Sequence, residues 1–354
     1  MIKYISVIEG DGIGPEIIKQ TIKILNAIGL KYNHQFFYTK VLAGGSAIEK
    51  FGDPMPKESI NSCYKSDAIL FGCVGDPKYD NNDLGNRPED GLLKLRKKMD
   101  LYCNIRPIKS YPEIDNDAYH INNQKLFSNV DFVIYRELTG GIYYGKKGRY
   151  NNGESAYDYC SYSKREIERI GHLAFQSALS RKKKLTLVDK SNVLETSRLW
   201  REIIKKMWCT YSEVNLDFLY VDNAAMQIIV NPKRFDVILT ENMFGDILSD
   251  ESSIISSSLG LLPSASIGEK ISLFEPVHGS YPQAKGKNIA NPLGCILSGS
   301  MMLEYFGMVQ ETKLLEKAVR ISIKDGFSTK DINPNSYKNT DEVGDYIKKL
   351  ILSS

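Results

Sequence analysis

Residues 4–29 read YISVIEGDGIGPEIIKQTIKILNAIG. The apolar run 4–8 has the length and flanks of a buried strand, and it breaks at the turn Gly10-Asp11-Gly12-Ile13-Gly14-Pro15. A helix follows, because Ile17, Ile18, Thr21, Leu25 and Ile28 recur on one face at helical spacing. Pro15 suits its first turn and Gly29 its end. A strand, a glycine-rich turn and a helix in that order suggest a G-x-G-x-x-G dinucleotide turn. That pattern needs a third glycine where this chain has Pro15, and no second strand ends in an acid at the required spacing. The stretch therefore predicts an α/β fold without the Rossmann site.

The same alternation continues outward. Runs 67–71, 131–136, 184–188, 216–221 and 235–240 are short and mostly apolar, and helical segments such as 195–207 flank them. This pattern predicts a largely parallel sheet covered on both faces. Several of the strands end in a reactive residue: Arg136, Lys190, Asp222, and the pair Glu241-Asn242. Ligands of open α/β sheets bind outside the carboxyl ends of the strands, so these ends mark one rim as a site. A helix cap or a loop would explain any one of them alone. Residues 145–163 are polar and tyrosine-rich, without helical period. Their alternation and the Asn151-Asn152-Gly153 turn suit an extended hairpin, with a disordered loop as the other reading.

The chain has 354 residues, enough for two ordinary domains. A net charge of +3 from 46 basic and 43 acidic residues makes no case for nucleic acid as a partner. No apolar run approaches the ~20 residues needed to span a bilayer. The N-terminus lacks the small-residue cleavage site of a secretion signal. The six cysteines are scattered without a C-x-x-C pair, which points to reduced thiols in a cytoplasmic enzyme rather than disulfides or zinc.

Residues 240–250, TENMFGDILSD, place Asp246 and Asp250 four apart in a run that otherwise reads as a buried helix. Like charges at that spacing repel, so something positive belongs between them. One helical turn, about 6 Å, separates the two side chains on nearly one face, and their oxygens can converge on a hard divalent cation. Mg²⁺ takes six oxygens at about 2.0–2.1 Å and keeps water or substrate oxygens among them. Asp222, at the end of its strand, is a third candidate ligand. The alternative is a helical turn whose acids simply favour the dipole. Arg96, Arg106 and Arg136 tilt the choice, since arginine forks bind carboxylates bidentately. Three of them beside an acid cluster suggest a substrate with two carboxylates and a metal-chelating hydroxyl.

The segments GDGIGPE (10–16), RPEDGLLKLR (87–96), YRELTGGIYYG (135–145), VDKSNVLETSRLWRE (188–202), FGDILSDE (244–251), EPVHGS (275–280) and GKNIANP (286–292) run through nearly the whole chain. In this order they resemble the isocitrate/isopropylmalate dehydrogenase family, on its isopropylmalate side. The resemblance implies a two-domain α/β/α fold distinct from Rossmann dehydrogenases. The first domain would combine 1–101 and 257–354, and the second would be 102–256, with an intersubunit arm at about 145–163. It implies a homodimer with shared active sites. The implied reaction is the NAD-linked oxidative decarboxylation of (2R,3S)-3-isopropylmalate to 4-methyl-2-oxopentanoate and CO₂, in leucine biosynthesis.

By the same resemblance, Arg96, Arg106 and Arg136 grip the two carboxylates of the malate core. Asp246, Asp250 and the partner's Asp222 hold Mg²⁺ or Mn²⁺. Lys190, also from the partner, takes the hydroxyl proton, and Tyr143 supplies the proton at C3. Glu89, Leu92 and Leu93 share one helix face, and two leucines there form an apolar pocket for an isopropyl group. The alternative is that both leucines face the core. His278-Gly279-Ser280, with Ala290 and Asn291, match the family's adenosine loop, and Asn192 resembles a residue near the nicotinamide. Gln283 and Asp76 depart from the family pattern of aspartate and glycine. Glutamine at 283 hydrogen-bonds a ribose but does not repel a 2′-phosphate. The absence of a Lys or Tyr pair at 283–284 keeps NAD as the expected cofactor. Related decarboxylating dehydrogenases of tartrate, homoisocitrate or isocitrate are the alternative within the class. A non-catalytic ligand- or RNA-binding relic is the alternative outside it.

Overall fold

The computed structural model describes residues 1–83, 85–114 and 124–354. The chain divides into two compact units. The first comprises Met1–Leu101, the described residues 111–114, and Ser256–Ser354. The second comprises Tyr102–Ser110 and the described residues 124–255.

The first unit is built on five strands: β1 (Ile2–Gly10), β2 (Gln35–Lys40), β3 (Ala68–Cys73), β11 (Pro263–Gly268) and β12 (Ser272–Pro276). Their order is β2-β1-β3-β12-β11, parallel except for the antiparallel pair β11–β12. Every residue of β3 is buried, as a central strand covered on both faces requires. The helices are α1 (Gly14–Tyr32), α2 (Gly45–Phe51), α3 (Lys57–Tyr64), α4 (Pro88–Lys98), α10 (Leu293–Tyr305), α11 (Val309–Lys324) and α12 (Thr340–Ser353). In α1 the buried face includes Ile17, Ile18, Thr21, Leu25 and Ile28, and Pro15 occupies its first turn. The left-handed residue that ends it is Asn33, four residues beyond the expected Gly29. Helix α10 is buried on nearly all sides because it packs on α1, α11, β11 and β12. Each Ile or Leu so enclosed stabilises the unit by about 1.5–3 kcal/mol before entropy is counted.

The second unit has the strand order β4-β5-β10-β8-β9. These are β4 (Leu101–Lys109), β5 (Asp131–Glu137), β8 (Lys184–Asp189), β9 (Asn215–Tyr220) and β10 (Val237–Thr240), with β4–β5 antiparallel and the rest parallel. Its helices are α5 (Gln124–Phe127), α6 (Lys164–Ser180), α7 (Glu195–Trp208), α8 (Val221–Val230) and α9 (Asn242–Glu251). Ser163 and Glu166 form a capping box at the start of α6. Phe132 meets Phe235 in the core, and Trp200 packs edge-on against Tyr162 with ring centroids 5.4 Å apart. A separate hairpin, β6 (Lys147–Tyr150) with β7 (Ser155–Asp158), occupies part of the tyrosine-rich stretch. Asn151, Asn152 and Gly153 all take positive φ in its turn, the conformation those residue types accept.

Two features depart from the sequence reading. Strand β9 stops at Tyr220, so Asp222 lies in the first turn of α8 rather than at a strand end. Strands β2, β4, β11 and β12 lack the apolar runs that mark the others. In β4, Arg106 and Pro107 interrupt the pattern.

Candidate active site

The parallel ladder of the second unit aligns its reactive ends. Arg136 on β5 is in register with Thr240 on β10, Thr240 with Val188 on β8, and Asp189 with Tyr220 on β9. Arg136, Glu241-Asn242, Lys190 and Asp222 therefore leave the sheet along one rim, at the carboxyl ends where α/β sheets bind ligands.

On that rim Arg136 is deeply enclosed, with a side chain 3% exposed. Its Nε and Nη2 donate to Asn242 Oδ1 at 3.0 and 2.8 Å, and its Nη1 pairs with Asp246. The arginine stem can pass α9 because residue 245 is glycine. A Cβ there would lie 2.6 Å from Arg136 Cγ. Arg106, also buried, donates from Nε to Asn104 Oδ1 at 2.7 Å and from Nη1 to Ser249 and to Asp250 Oδ1, the last at 3.0 Å. Its Nη2 stands 3.4 Å from Asp246 Oδ1. Within one chain Arg106 is thus a positive group that touches both Asp246 and Asp250. Burial holds the Asp250 carboxyl above its ordinary range, and Arg106 and Arg136 pull it the other way.

Tyr143 donates to Asp246 Oδ2 at 3.0 Å, and the Arg136 guanidinium lies 5.7 Å from its ring centroid. Burial raises the phenol pKa, and the Asp246 charge adds to the shift. The loop that carries Tyr143 is tied down by Glu137, which is fully buried. It accepts from Thr139 N–H at 2.9 Å, the Thr139 hydroxyl at 2.7 Å and Gly140 N–H at 2.7 Å. Asn242 Nδ2 donates to Gly140 O at 3.1 Å, so one asparagine fixes both Arg136 and this loop.

Lys190 Nζ donates to Asp222 Oδ1 at 2.8 Å and holds that carboxyl below its ordinary range. Among the described residues, no group of three or more His, Cys, Asp or Glu side chains could hold a metal ion. Within one chain Asp246 and Asp250 share Arg106, while Asp222 belongs to the lysine. Lys190 N–H donates to Ser197 Oγ at 3.1 Å, and that hydroxyl donates to Glu241. Burial pushes the Glu241 carboxyl up to about 7, with Asp189 adding to the shift. Asn192 is exposed in the turn after β8.

In the first unit, Leu92 and Leu93 are half-exposed on α4, while Leu95 is the leucine that enters the core. Arg96 Nη2 is engaged by Glu275 Oε1 at 2.7 Å. The loop after β12 supplies His278, whose Nδ1 contacts Gly279 O at 2.9 Å. His278 Nε2 is buried without a hydrogen-bond partner among the described residues, and burial lowers the ring's pKa. A side chain at Gly279 would meet no atom within 4 Å among the described residues. Ser280 is buried and Gln283 exposed. Glu89 is exposed near the start of α4. Asp76 caps the turn Pro77–Tyr79 by accepting from Lys78 N–H at 3.0 Å. Ala290 O accepts from the Thr340 hydroxyl at 2.6 Å. Asn291 uses both ends of its amide internally, donating to Asp331 at 2.9 Å and accepting from Leu293 N–H at 3.0 Å.

Asn104, Glu137, Asn242, Ser249 and Glu275 escape the sequence reading as site residues. Only Asn242 carries a signal there, as half of a polar strand end.

Similarity to known proteins runs the full length of the chain. It is 48% identical over 352 residues to the 3-isopropylmalate dehydrogenase of Bacteroides fragilis, covering 98% of this chain and 99% of that one. It is 47% identical over 358 residues to the 3-isopropylmalate dehydrogenase of Helicobacter hepaticus, covering 99% and 100%. Among solved structures, isocitrate dehydrogenase from Methylococcus capsulatus superposes with a TM-score of 0.90 at 34% identity, covering 99% of each chain. A β-decarboxylating dehydrogenase from Thermococcus kodakarensis superposes with a TM-score of 0.82 at 33% identity, covering 99% of this chain and 96% of that one. The family described as isocitrate/isopropylmalate dehydrogenase matches residues 4–347, and the chain belongs to it.

Proposed function

We propose that the chain oxidatively decarboxylates (2R,3S)-3-isopropylmalate to 4-methyl-2-oxopentanoate and CO₂ in leucine biosynthesis, using NAD⁺ and Mg²⁺ or Mn²⁺. The observation that carries this reading is the cluster in which Arg106, Arg136 and Tyr143 converge on Asp246. It unites anion-binding forks, a carboxylate for a hard cation, and a proton donor.

The donor chemistry fits both cofactors. Asp246 and Asp250 side chains are 33% and 59% exposed, offering carboxylate oxygens of the type a hard divalent cation takes, one or two at a time, beside substrate oxygens and water. His278 Nε2, buried and unpartnered among the described residues, suits a nitrogen-rich base such as adenine. A bound nicotinamide would supply the hydride acceptor for C2, and a divalent cation held by Asp246 and Asp250 would supply a Lewis acid that stabilises negative charge on the C2 oxygen.

The rest is the work of the side chains. Arg106 and Arg136 bind the malate carboxylates, with Arg96 as the third fork. Because Asn242 and Asn104 hold the guanidinium planes beforehand, little freedom is lost when substrate binds. Lys190 Nζ takes the proton of the C2 hydroxyl, and Tyr143 Oη delivers one to C3 as CO₂ departs. Leu92 and Leu93 offer apolar surface to the isopropyl group, worth about 2 kcal/mol once buried, and leave a third carboxylate without a partner.

Lys190 and Asp222 act as a pair in the site of a second copy. Support comes from α8, which starts beside Asp222 and exposes Met226 and Val230, and from α9, which exposes Ile247. An apolar face of this kind suits a homodimer. The six cysteines are all unpaired, which suits a reducing cytoplasm. Among the described residues no helix is long and apolar enough to cross a membrane.

The test is a substrate panel of isopropylmalate, malate, tartrate, homoisocitrate and isocitrate against NAD⁺ and NADP⁺. Isopropylmalate with NAD⁺ should give the highest kcat/KM. Equal rates across the panel, or preference for a tricarboxylate, would overturn the assignment.

A further inference from the structure

Asp11 is a buried carboxylate that no step above uses. It lies in the turn between β1 and α1 and is 7% exposed. Its Oδ2 accepts from the backbone N–H of Gly45 at 2.9 Å and of Gly75 at 3.1 Å, and its Oδ1 accepts from Ser46 N–H at 3.2 Å. Segments far apart in sequence thus converge on one side chain. Its own backbone is fixed by a bond from Asp11 N–H to Cys73 O at 2.8 Å. The neighbouring glycines make room for the carboxylate. A Cβ at Gly44 would fall 2.5 Å from Oδ2, and one at Gly45 would fall 3.0 Å from Oδ1.

Gly75 links this cluster to the cofactor loop. Its φ is +131°, and a Cβ there would lie 2.9 Å from Glu89 Oε1 and 3.0 Å from Ser280 Oγ. The turn that carries Asp11 also holds Ser280, because Ile13 N–H donates to Ser280 O at 2.9 Å. We propose that Asp11 is a positioning residue for the nicotinamide dinucleotide. Its carboxylate fixes the backbone of Gly75, on which Glu89 and Ser280 rest, and the 44–46 segment beside it. Bonds from backbone N–H to a buried carboxylate are charge-assisted, and removing the acceptor leaves buried donors unpaired. In Asp11→Asn an amide NH₂ must replace one acceptor oxygen and face those donors.

The inference rests on the NAD reading above, and NADH binding to the full-length protein separates the two. Fluorescence titration gives the NADH Kd, calorimetry gives the isopropylmalate Kd, and hydrogen exchange follows the Gly45 and Gly75 amides. Failure of the unaltered protein to bind NADH would overturn both claims. If it binds, Asp11→Asn should raise the NADH Kd at least tenfold and the isopropylmalate Kd less than threefold, with faster exchange at both glycines. Unchanged NADH affinity in that variant overturns the positioning role and leaves the cofactor reading intact. Equal weakening of both ligands marks a general structural role and overturns it too. If Asp11→Asn does not fold, Gly45→Ala keeps the carboxylate and crowds both the Tyr79 ring, at 2.9 Å, and Asp11 Oδ1, at 3.0 Å. A threefold or larger loss of NADH affinity in that variant supports the role, and an unchanged affinity overturns it.

Discussion

Glu241 gives the chain a stability that depends on pH in a calculable way. Its side chain is buried where β10 meets α9, accepts from Ser197, and has its carboxyl pushed up by burial from 4.5 to about 7. Because the folded pKa is raised, the folded state keeps the proton after the unfolded chain has released it. The stabilisation is complete below pH 4.5 and is lost progressively as pH rises to about 7, after which it stays lost. The shift, at about 1.4 kcal/mol per pH unit, corresponds to about 3 kcal/mol. Glu241→Gln keeps an oxygen for Ser197 and removes the titration. Urea unfolding followed by tryptophan fluorescence suits the test, because Trp200 and Trp208 both lie in the second unit with Glu241. The variant should gain about 3 kcal/mol relative to the unaltered protein between pH 4.5 and pH 8. A difference between the two proteins that does not change with pH would refute the reasoning.

Tyr143→Phe removes the hydroxyl that touches Asp246 and should lower turnover by roughly 10²–10⁴ with little change in substrate Kd. Stopped-flow detection of NADH and product checks this, and a loss under threefold would remove Tyr143 from proton transfer. Leu93→Ser should cut kcat/KM for isopropylmalate by roughly 30-fold, the equivalent of about 2 kcal/mol, and leave malate almost unaffected. Parallel losses on both substrates would deny α4 its part in specificity. If sites are shared across a two-fold axis, mixing Tyr143→Phe with Asp222→Asn protomers should restore about a quarter of full activity, because half of the sites in mixed dimers are intact. No recovery on mixing would place Lys190 and Asp222 in the site of their own chain.

The strand–turn–helix at 4–29, the central strands and the helix bearing Asp246 and Asp250 were legible because burial imposes apolar period on them. Strand β2 was not, because its edge position leaves residues such as Phe37 exposed and its pattern mixed. Strand β4 was hidden by Arg106, a charge turned inward to meet Ser249 and Asp250 rather than outward to water. The two acids four apart call for a positive neighbour, and the spacing does not reveal that another strand supplies Arg106 to both. Asp11 and Glu137 were illegible as site-shaping groups for a related reason. The partners of Asp11 and Glu137 include backbone N–H groups, and every residue but proline has one. For Asp11 they come from segments more than thirty residues away, so no side-chain motif announces them.

The central claim is that one site couples oxidation at C2 to loss of CO₂ with the help of a divalent cation. Its most direct test is the stoichiometry of NADH at 340 nm against released CO₂ and 4-methyl-2-oxopentanoate, with isopropylmalate and NAD⁺, before and after chelation. Equimolar NADH, CO₂ and keto acid with Mg²⁺ or Mn²⁺, and none of the three after chelation until metal is restored, is the predicted result. NADH formed without CO₂, or turnover indifferent to the chelator, would contradict it.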